Sequence, residues 1–440
     1  MKKEITVNLS QIKKIFFVGI GGIGISAITR MMLGEGKDVS GSDMSESRIT
    51  EELKKLGVDI KLGQGIDLIP KDIDLIVFTI AIKKYDEGFF KKLESLEIPI
   101  LSYPQMLGVV TKDKYTIAVS GTHGKTTVTA MIAKILIDAG RDPTVIVGSL
   151  LKDSKSNFVA GKSEFFVVEA CEYERSFLNI KPKVLVITNI EPDHLDYYKD
   201  LEDIQSAFEQ LISQTGDVVV YNAQDMSSHV LVHGYEGKVV DYSKYLEKVP
   251  NLSVPGKHNR IDAAAAMAIA EILGIREDDA QKSLAEFSGT WRRLEKKGET
   301  KDGTIIYDDY AHHPTEIRAG IQALRELYPK GEKKITIVFQ PHLYSRTKAL
   351  FDDFSKSFKG VDRILLLPIF FAREDLDPTI SSEKLAEAIC KNGDKAEAFP
   401  NFESAEQAVL ALNLGLNDVF VTMGAGEAYK VANKVFPILN

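Results

Sequence analysis

Cysteine is nearly missing from this chain: 440 residues carry only Cys171 and Cys390. Two thiols are too few to staple a secreted fold or to build a structural zinc centre, so a reducing, cytoplasmic setting is expected. Long apolar runs are missing as well. The longest, such as Ile364 to Ala372, fall well short of the ~18 residues a spanning helix needs, and no membrane crossing is expected. An excess of positive charge is the third absence. Lys and Arg number 55 against 63 Asp and Glu, a net charge of −8, and such a surface repels nucleic acid and anionic lipid. Phosphates, if bound, must be held by local backbone and a few placed cations. The apolar N-terminal stretch Ile15 to Ile28 lacks a small-residue cleavage pattern after it and holds four glycines, so it reads as strand, turn and helix rather than a signal peptide.

What is present is an ordinary globular mix, 44% hydrophobic and 27% charged. At roughly 150 residues per domain the length predicts about three domains. Short β-branched and apolar runs alternate with amphipathic helical patterns, the signature of α/β domains with mostly parallel sheets. A first block offers strands at Ile15–Gly19, Ile73–Phe78 and Ile98–Leu101 with a helix at Ile23–Leu33. The short polar stretch Thr111–Lys114 reads as a linker. A second block has strands at Tyr115–Ser120, Phe165–Glu169 and Val184–Asn189 and an alanine-rich helix near Asp262–Ala270. The charged stretch Glu295–Gly303 precedes a third block, with strands at Ile305–Tyr307, Ile335–Phe339, Ile364–Leu367 and Val419–Val421.

The most informative segment is Gly121-Thr122-His123-Gly124-Lys125-Thr126-Thr127, between the strand Tyr115–Ser120 and the helical run Val128–Ala139. Glycines let backbone N–H groups approach phosphate oxygens, and the helix that follows points unpaired N–H groups at them. Lys125 would neutralise the outer phosphates and the Thr126 hydroxyl would ligate Mg²⁺. Val119 stands where the common pattern has its first glycine, so this is a P-loop variant. Mg²⁺ wants oxygen ligands. Glu169 ends an apolar strand at the edge where α/β sheets place ligands, and His194 follows the next strand as a second metal candidate.

Gly19-Ile20-Gly21-Gly22-Ile23-Gly24 satisfies G-x-G-x-x-G, with Asp43 about where a ribose-binding acid would sit. Taken alone, the pattern says that a diphosphate docks at a helix N-terminus. NAD or a UDP derivative would serve equally.

Together with Thr188-Asn189-Ile190-Glu191-Pro192-Asp193-His194, Pro255-Gly256-Lys257-His258-Asn259, Arg292-Arg293, Asp308 to Glu316 and Phe339 to Thr347, in this order, these segments resemble the Mur ligases of peptidoglycan precursor synthesis over essentially the whole chain. Within that family the likeness is greatest to the branch that adds L-alanine to UDP-N-acetylmuramate. The resemblance implies three α/β domains: a Rossmann-like UDP-sugar domain (1–110), a central P-loop ATP domain (111–298) and a Rossmann-like C-terminal domain that brings the amino acid (299–440). It implies diphosphate contacts at Gly21, Gly22 and Ile23, with Ser42 and Asp43 near uridine, and ATP contacts at Gly121 through Thr127, Asn259, Arg293 and Asp309. Mg²⁺ would be held by Thr126, Glu169 and His194, and the alanine and lactyl carboxylate site lined by Tyr310, His312, His342 and Arg346. Lys125, Glu169, His194, His342 and Arg346 form the implied catalytic set.

Two positions depart from the family pattern. Ala170-Cys171-Glu172 replaces the usual Ala-Asp-Glu, which puts a third acidic metal contact in doubt, and Glu427 stands where aspartate is expected. Sister ligases carry a carbamylated lysine at the place that falls here on Phe208, which agrees with the alanine-adding branch. The expected chemistry is phosphorylation of the lactyl carboxylate by ATP, then capture of the acyl phosphate by the alanine amine, with the domains closing around the nucleotide. Three other readings remain: a ligase that reattaches an intact tripeptide to the same UDP-sugar, a nicotinamide-dependent oxidoreductase suggested by the first glycine turn, and a regulatory ATP-binding module.

Overall fold

The computed structural model describes residues 7–372 and 374–437, with residues 84 and 85 in backbone only. Three sheets follow one another along the chain, each from one of the three blocks. The first has the order β3-β2-β1-β4-β5, from β1 (Lys14–Val18), β2 (Asp38–Asp43), β3 (Asp59–Leu62), β4 (Leu75–Phe78) and β5 (Ile100–Ser102), all parallel. β1 and β4 are apolar and buried at nearly every position, as strands covered on both faces must be.

β2, with the sequence DVSGSD, has no apolar run to announce it. It forms because it completes the parallel ladder beside β1. A side chain at Gly41 would meet Ile20, its Cβ 2.7 Å from Cδ1, so only glycine lets β2 lie this close to the turn after β1.

The second sheet has the order β12-β11-β10-β6-β9-β7-β8. Its strands are β6 (Tyr115–Ser120), β7 (Thr144–Leu151), β8 (Ser156–Val159), β9 (Phe165–Glu169), β10 (Val184–Ile187), β11 (Val218–Tyr221) and β12 (Lys238–Asp241). All pairings are parallel except the β7–β8 hairpin. β6 and β9 have the limits expected from the sequence. Phe208 is fully buried on the helix Leu201–Ser213, its ring edge-on to Phe177 at 5.1 Å, a core residue rather than a site residue.

The third sheet, β13-β14-β18-β15-β16-β17, is built from β13 (Glu295–Glu299), β14 (Ile305–Asp309), β15 (Lys334–Phe339), β16 (Arg363–Leu366), β17 (Ala396–Ala398) and β18 (Asp418–Met423). Alternate residues divide between two cores: Ile305, Tyr307, Ile337 and Phe339 on one face, Ile306, Val338, Leu365 and Phe420 on the other. The charged stretch read as a lead-in is in fact an edge strand, β13, paired antiparallel to β14 with a bulge at Lys296/Gly298. Charge and a bulge suit an edge, because they discourage further pairing.

Packing gathers the chain into two compact units. One comprises Met1–Ile190, Gln205–Lys248 and Ala264–Leu284 and holds the first two sheets; the other comprises Glu191–Ile204, Val249–Ala263 and Ala285–Asn440 and holds the third. Among the described residues, no helix is long and apolar enough to cross a membrane.

Candidate active site

In the first unit, the glycine turn after β1 is held from β2. Gly19, at φ +77°, and Ile20 both donate to the Ser42 carbonyl, at 2.8 and 3.1 Å, while Gly21 N–H donates to Asp43 Oδ2 at 2.8 Å. Asp43 therefore fixes the turn through its carboxylate, and the buried Ser42 fixes it through its backbone. The helix Ile23–Gly34 begins at Gly22 with no side-chain cap, so its first N–H groups are available to an anion.

The P-loop leaves β6 at Gly121, φ +132°, where a Cβ would lie 2.8 Å from the Asn189 carbonyl, so only glycine fits. Asn189, past the end of β10, organises the loop: its carbonyl accepts from Thr122 N–H at 2.9 Å and its side-chain oxygen from His123 N–H at 3.0 Å. Gly124, at φ +80°, opens the helix Lys125–Asp138. Lys125 Nζ donates to the carbonyls of Gly121 and Thr122, at 2.5 and 3.1 Å, and pairs with Glu172 at 3.0 Å. Burial pulls the ammonium's pKa down, but Glu172, Cys171 and Glu169 outweigh it and leave Lys125 above the ordinary range.

Glu169, at the end of β9, faces Thr126. Its Oε2 accepts from Thr126 Oγ1 at 2.9 Å and from Gly148 N–H of β7 at 2.8 Å. A hydroxyl and a carboxylate brought together at the start of a phosphate-binding helix are hard oxygen donors of the kind Mg²⁺ takes, and the two residues fit that ion. Cys171 is exposed and carries a thiol, so it supplies no anionic oxygen where the family's aspartate would.

In the second unit, the helix Pro314–Leu327 starts from the cap His313, with Glu316 reaching back to the cap backbone. Glu316 Oε2 also lies 3.2 Å from His312 Nδ1, and Oε1 lies 3.6 Å from Arg293. Tyr310, His312 and His342 form a chain of rings with centroids 5.4 and 5.9 Å apart. Arg346 ends it: Nη1 donates to His342 Nδ1 at 3.2 Å, while Nε and Nη2 both donate to Asp193 Oδ1 at 3.1 Å. The four residues expected to line the amino-acid site are thus together.

Burial pushes the His312 imidazole down to about 4, against the pull of Glu316, and the His342 imidazole down to about 3 with help from His312 and Arg346. Both rings are neutral at ordinary pH. Arginine only donates, so His342 Nδ1 is an acceptor. His312 Nδ1 faces the Tyr310 carbonyl at 3.1 Å as well as Glu316, so it carries the proton and leaves Nε2 as the acceptor. Burial works to neutralise Asp193, but His194, Arg346 and His312 hold its carboxyl well below the usual range. Asp193, His194, Ser345 and Arg346 line one small pocket with Leu343 and Leu350.

The two adjacent arginines part company. Arg292 is 4% exposed, its Nε 2.8 Å from Asp308 Oδ2 and its Nη atoms on the carbonyls of Gly426 and Gly424 at 3.1 and 2.7 Å. The Arg293 side chain is 30% exposed. Asp309, buried beside Arg293 and Glu316, is pushed up to about 6, mainly by burial. Asn259 is buried, with its amide donating to the Pro255 carbonyl at 2.6 Å. Glu427 pairs with Lys430 at 2.5 Å. Gly148 was not singled out from the sequence, and Asp193, Glu172 and Glu316 stood in quoted segments without a role. Acidity next to known motif residues was the only available signal.

Residues 14–115, 119–251 and 292–426 match the family models for the Mur ligase family catalytic domain, the Mur ligase middle domain and the Mur ligase glutamate ligase domain. A UDP-N-acetylmuramate–L-alanine ligase of Clostridium kluyveri is 42% identical over 449 residues, covering 95% of this chain and 97% of that protein. The chain belongs to the Mur ligase family. Another Mur ligase, the UDP-N-acetylmuramate–L-alanine ligase of Caldanaerobacter subterraneus subsp. tengcongensis, is 38% identical and covers 97% of this chain and 98% of its own. Among solved Mur ligase structures, the UDP-N-acetylmuramate-alanine ligase of Thermotoga maritima superposes with a TM-score of 0.79 at 28% identity, over 96% of this chain and 98% of that one. The three-domain α/β architecture is that of the family.

Proposed function

We propose that this Mur ligase joins L-alanine to the lactyl carboxylate of UDP-N-acetylmuramate at the expense of ATP, releasing ADP and phosphate. The observation that carries the reading is the convergence of Lys125, Thr126 and Glu169 at the carboxyl ends of β6 and β9. A carboxylate is a poor electrophile, and its oxygen a poor leaving group. Attack of the lactyl oxygen on the γ-phosphorus gives an acyl phosphate and ADP, with Lys125 balancing charge on the transferring oxygens. The neutral amine of L-alanine then attacks the acyl carbon, the amide forms, and phosphate leaves with its oxygen. The N–H groups of the helix start from Ile23 onward hold the diphosphate of the sugar nucleotide, since those of Gly21 and Gly22 go to Asp43 and to the Gly19 carbonyl. Asn259, Arg293 and Asp309 serve the nucleotide, as the family pattern has it.

Thr126 and Glu169, with His194 by the same pattern, would hold Mg²⁺, which when bound adds positive charge at the phosphoryl oxygens. Arg346 holds a substrate carboxylate, and the neutral His312 and His342 orient the amine. The domain limits 1–110, 111–298 and 299–440 and a cytoplasmic setting belong to the same proposal.

The test is to incubate the protein with ATP, Mg²⁺, UDP-N-acetylmuramate and either L-alanine, other amino acids or an intact tripeptide, and to weigh the product. Addition of alanine with stoichiometric phosphate is expected. Preferential use of the tripeptide would move the chain to the recycling reaction, and phosphate release independent of the UDP-sugar would defeat the proposal.

A further inference from the structure

Asn157, on β8, is 1% exposed and lies against the helix that begins the diphosphate turn of the first sheet. Its Nδ2 donates to the Ile23 carbonyl and, at 2.9 Å, to Ser26 Oγ. Ser26 Oγ itself donates to the Ile23 carbonyl at 2.9 Å, so toward Asn157 it can only accept. Two acceptors converge on one point, which calls for a donor there. Among the described residues Asn157 Oδ1 has no hydrogen-bond partner, and both bonds of this buried side chain go to the first turn of that helix.

β8 is paired antiparallel to β7, Ile146 opposite Phe158 and Val145 opposite Val159. The same β7 carries Gly148, whose N–H holds Glu169 Oε2 at 2.8 Å, and Glu169 in turn holds Thr126. A single hairpin therefore grips the residue that offers an N–H to the diphosphate and the carboxylate beside the transferring phosphate. Covalently, the two sheets are joined only through the stretch after the helix Tyr103–Thr111, which says nothing about this spacing.

We propose that Asn157 is a positioning residue for the ligation. Through Ile23 and Ser26 it locks the diphosphate turn to the β7–β8 hairpin, and so sets the reach of the lactyl carboxylate toward the γ-phosphoryl group. This rests on the placement of the sugar diphosphate at the helix start from Ile23 onward given above. A fixed reach matters because acyl phosphate formation is an in-line displacement, and a shift of about 1 Å can cost on the order of 100-fold in rate.

The test uses the full-length enzyme and three variants. N157D keeps the shape but turns a carboxylate toward two acceptors, N157L keeps the volume without a donor, and S26A removes one of the two partners while leaving the helix intact. In N157D and N157L, kcat should fall about 100-fold, with the dissociation constant for ATP within about twofold of the parent because the P-loop is untouched. S26A should lose roughly threefold to tenfold in kcat, as one of two bonds goes. A purely structural role would lower thermal stability and weaken ATP and UDP-sugar binding together, with no selective loss of kcat. Hydrogen exchange of the wild-type segment 19–26 is followed with and without UDP-N-acetylmuramate. If that segment gains no protection, the diphosphate placement is wrong. If it is protected and the variants, S26A included, turn over like the wild type, the role given to Asn157 is wrong.

Discussion

Both carboxylate oxygens of Glu172 lie 3.0 Å from Nζ of Lys125, with 4% of the acid side chain and 13% of the lysine exposed. The pair occupies the position where the lysine must meet a phosphate, so Glu172 serves as the counter-charge of Lys125 until a nucleotide takes its place. Removing one partner of a buried pair strands the other charge, at a cost of about 3 kcal/mol. Glu172→Gln should therefore melt earlier than the parent without nucleotide, and saturating ATP with Mg²⁺ should recover most of the difference by supplying the missing negative charge. Thermal melts in both conditions measure it, and an equal deficit with and without nucleotide contradicts the assignment.

A side chain at Gly148 would put its Cβ 2.6 Å from Glu169 Oε2. The backbone N–H there holds the carboxylate, so Gly148→Ala both crowds and displaces it. Turnover should fall on the order of 100-fold, with the Mg²⁺ concentration for half-maximal rate raised and UDP-N-acetylmuramate binding unchanged by calorimetry. Unaltered Mg²⁺ dependence would mean that Glu169 does not serve the ion.

Much of this site could be read directly from residue types, and the unread parts share a cause. β6, the P-loop and Glu169 were legible because an apolar strand, two glycines and a Lys-Thr pair state their geometry locally. β2 was not, since Asp38–Asp43 has hardly any strand-forming residues and exists only because β1 lies beside it. β13 read as a charged lead-in because an edge strand needs no apolar face. Asp43 spends one carboxylate oxygen on Gly21 N–H, a contact 22 residues apart that no local pattern announces. Asn157 and Glu172 are long-range partners of the same kind: their residue types are ordinary, and only tertiary packing gives them work.

Arg292 and Arg293 are neighbours with different duties. Arg292 is enclosed by Asp308 and two carbonyls, and its guanidinium also lies over the Tyr310 and Tyr429 rings at 5.2 and 4.8 Å. Arg292→Ala leaves Asp308 buried without its cation and should cost about 3–5 kcal/mol of stability. Arg293→Ala, on a side chain partly open to solvent, should melt within about 1 kcal/mol of the parent yet raise the KM for ATP. Denaturation and steady-state kinetics on both proteins separate the two; the reverse pattern would exchange their roles.

Asp309 gives the pH prediction. Burial, opposed by Arg293 and reinforced by Glu316, lifts its carboxyl from 3.8 to about 6 in the folded chain. The folded state therefore keeps a proton that the unfolded chain has released, and stability falls as pH rises through this window, since its slope follows protons bound by the unfolded minus the folded state. Below about pH 4 both states are protonated and the group is neutral in its effect; above about pH 6 the whole penalty is present. A shift of this size corresponds to about 3 kcal/mol. Asp309→Asn keeps an acceptor for the Ala311 N–H, which now bonds Asp309 Oδ1 at 3.2 Å, and has no charge to bury. Relative to that variant, the parent should lose stability steadily between about pH 4 and pH 6.5 and then run parallel to it. Chemical denaturation across this range measures the difference. Parallel curves throughout would mean that the carboxyl is already ionised at the acid end, with Arg293 rather than burial in control.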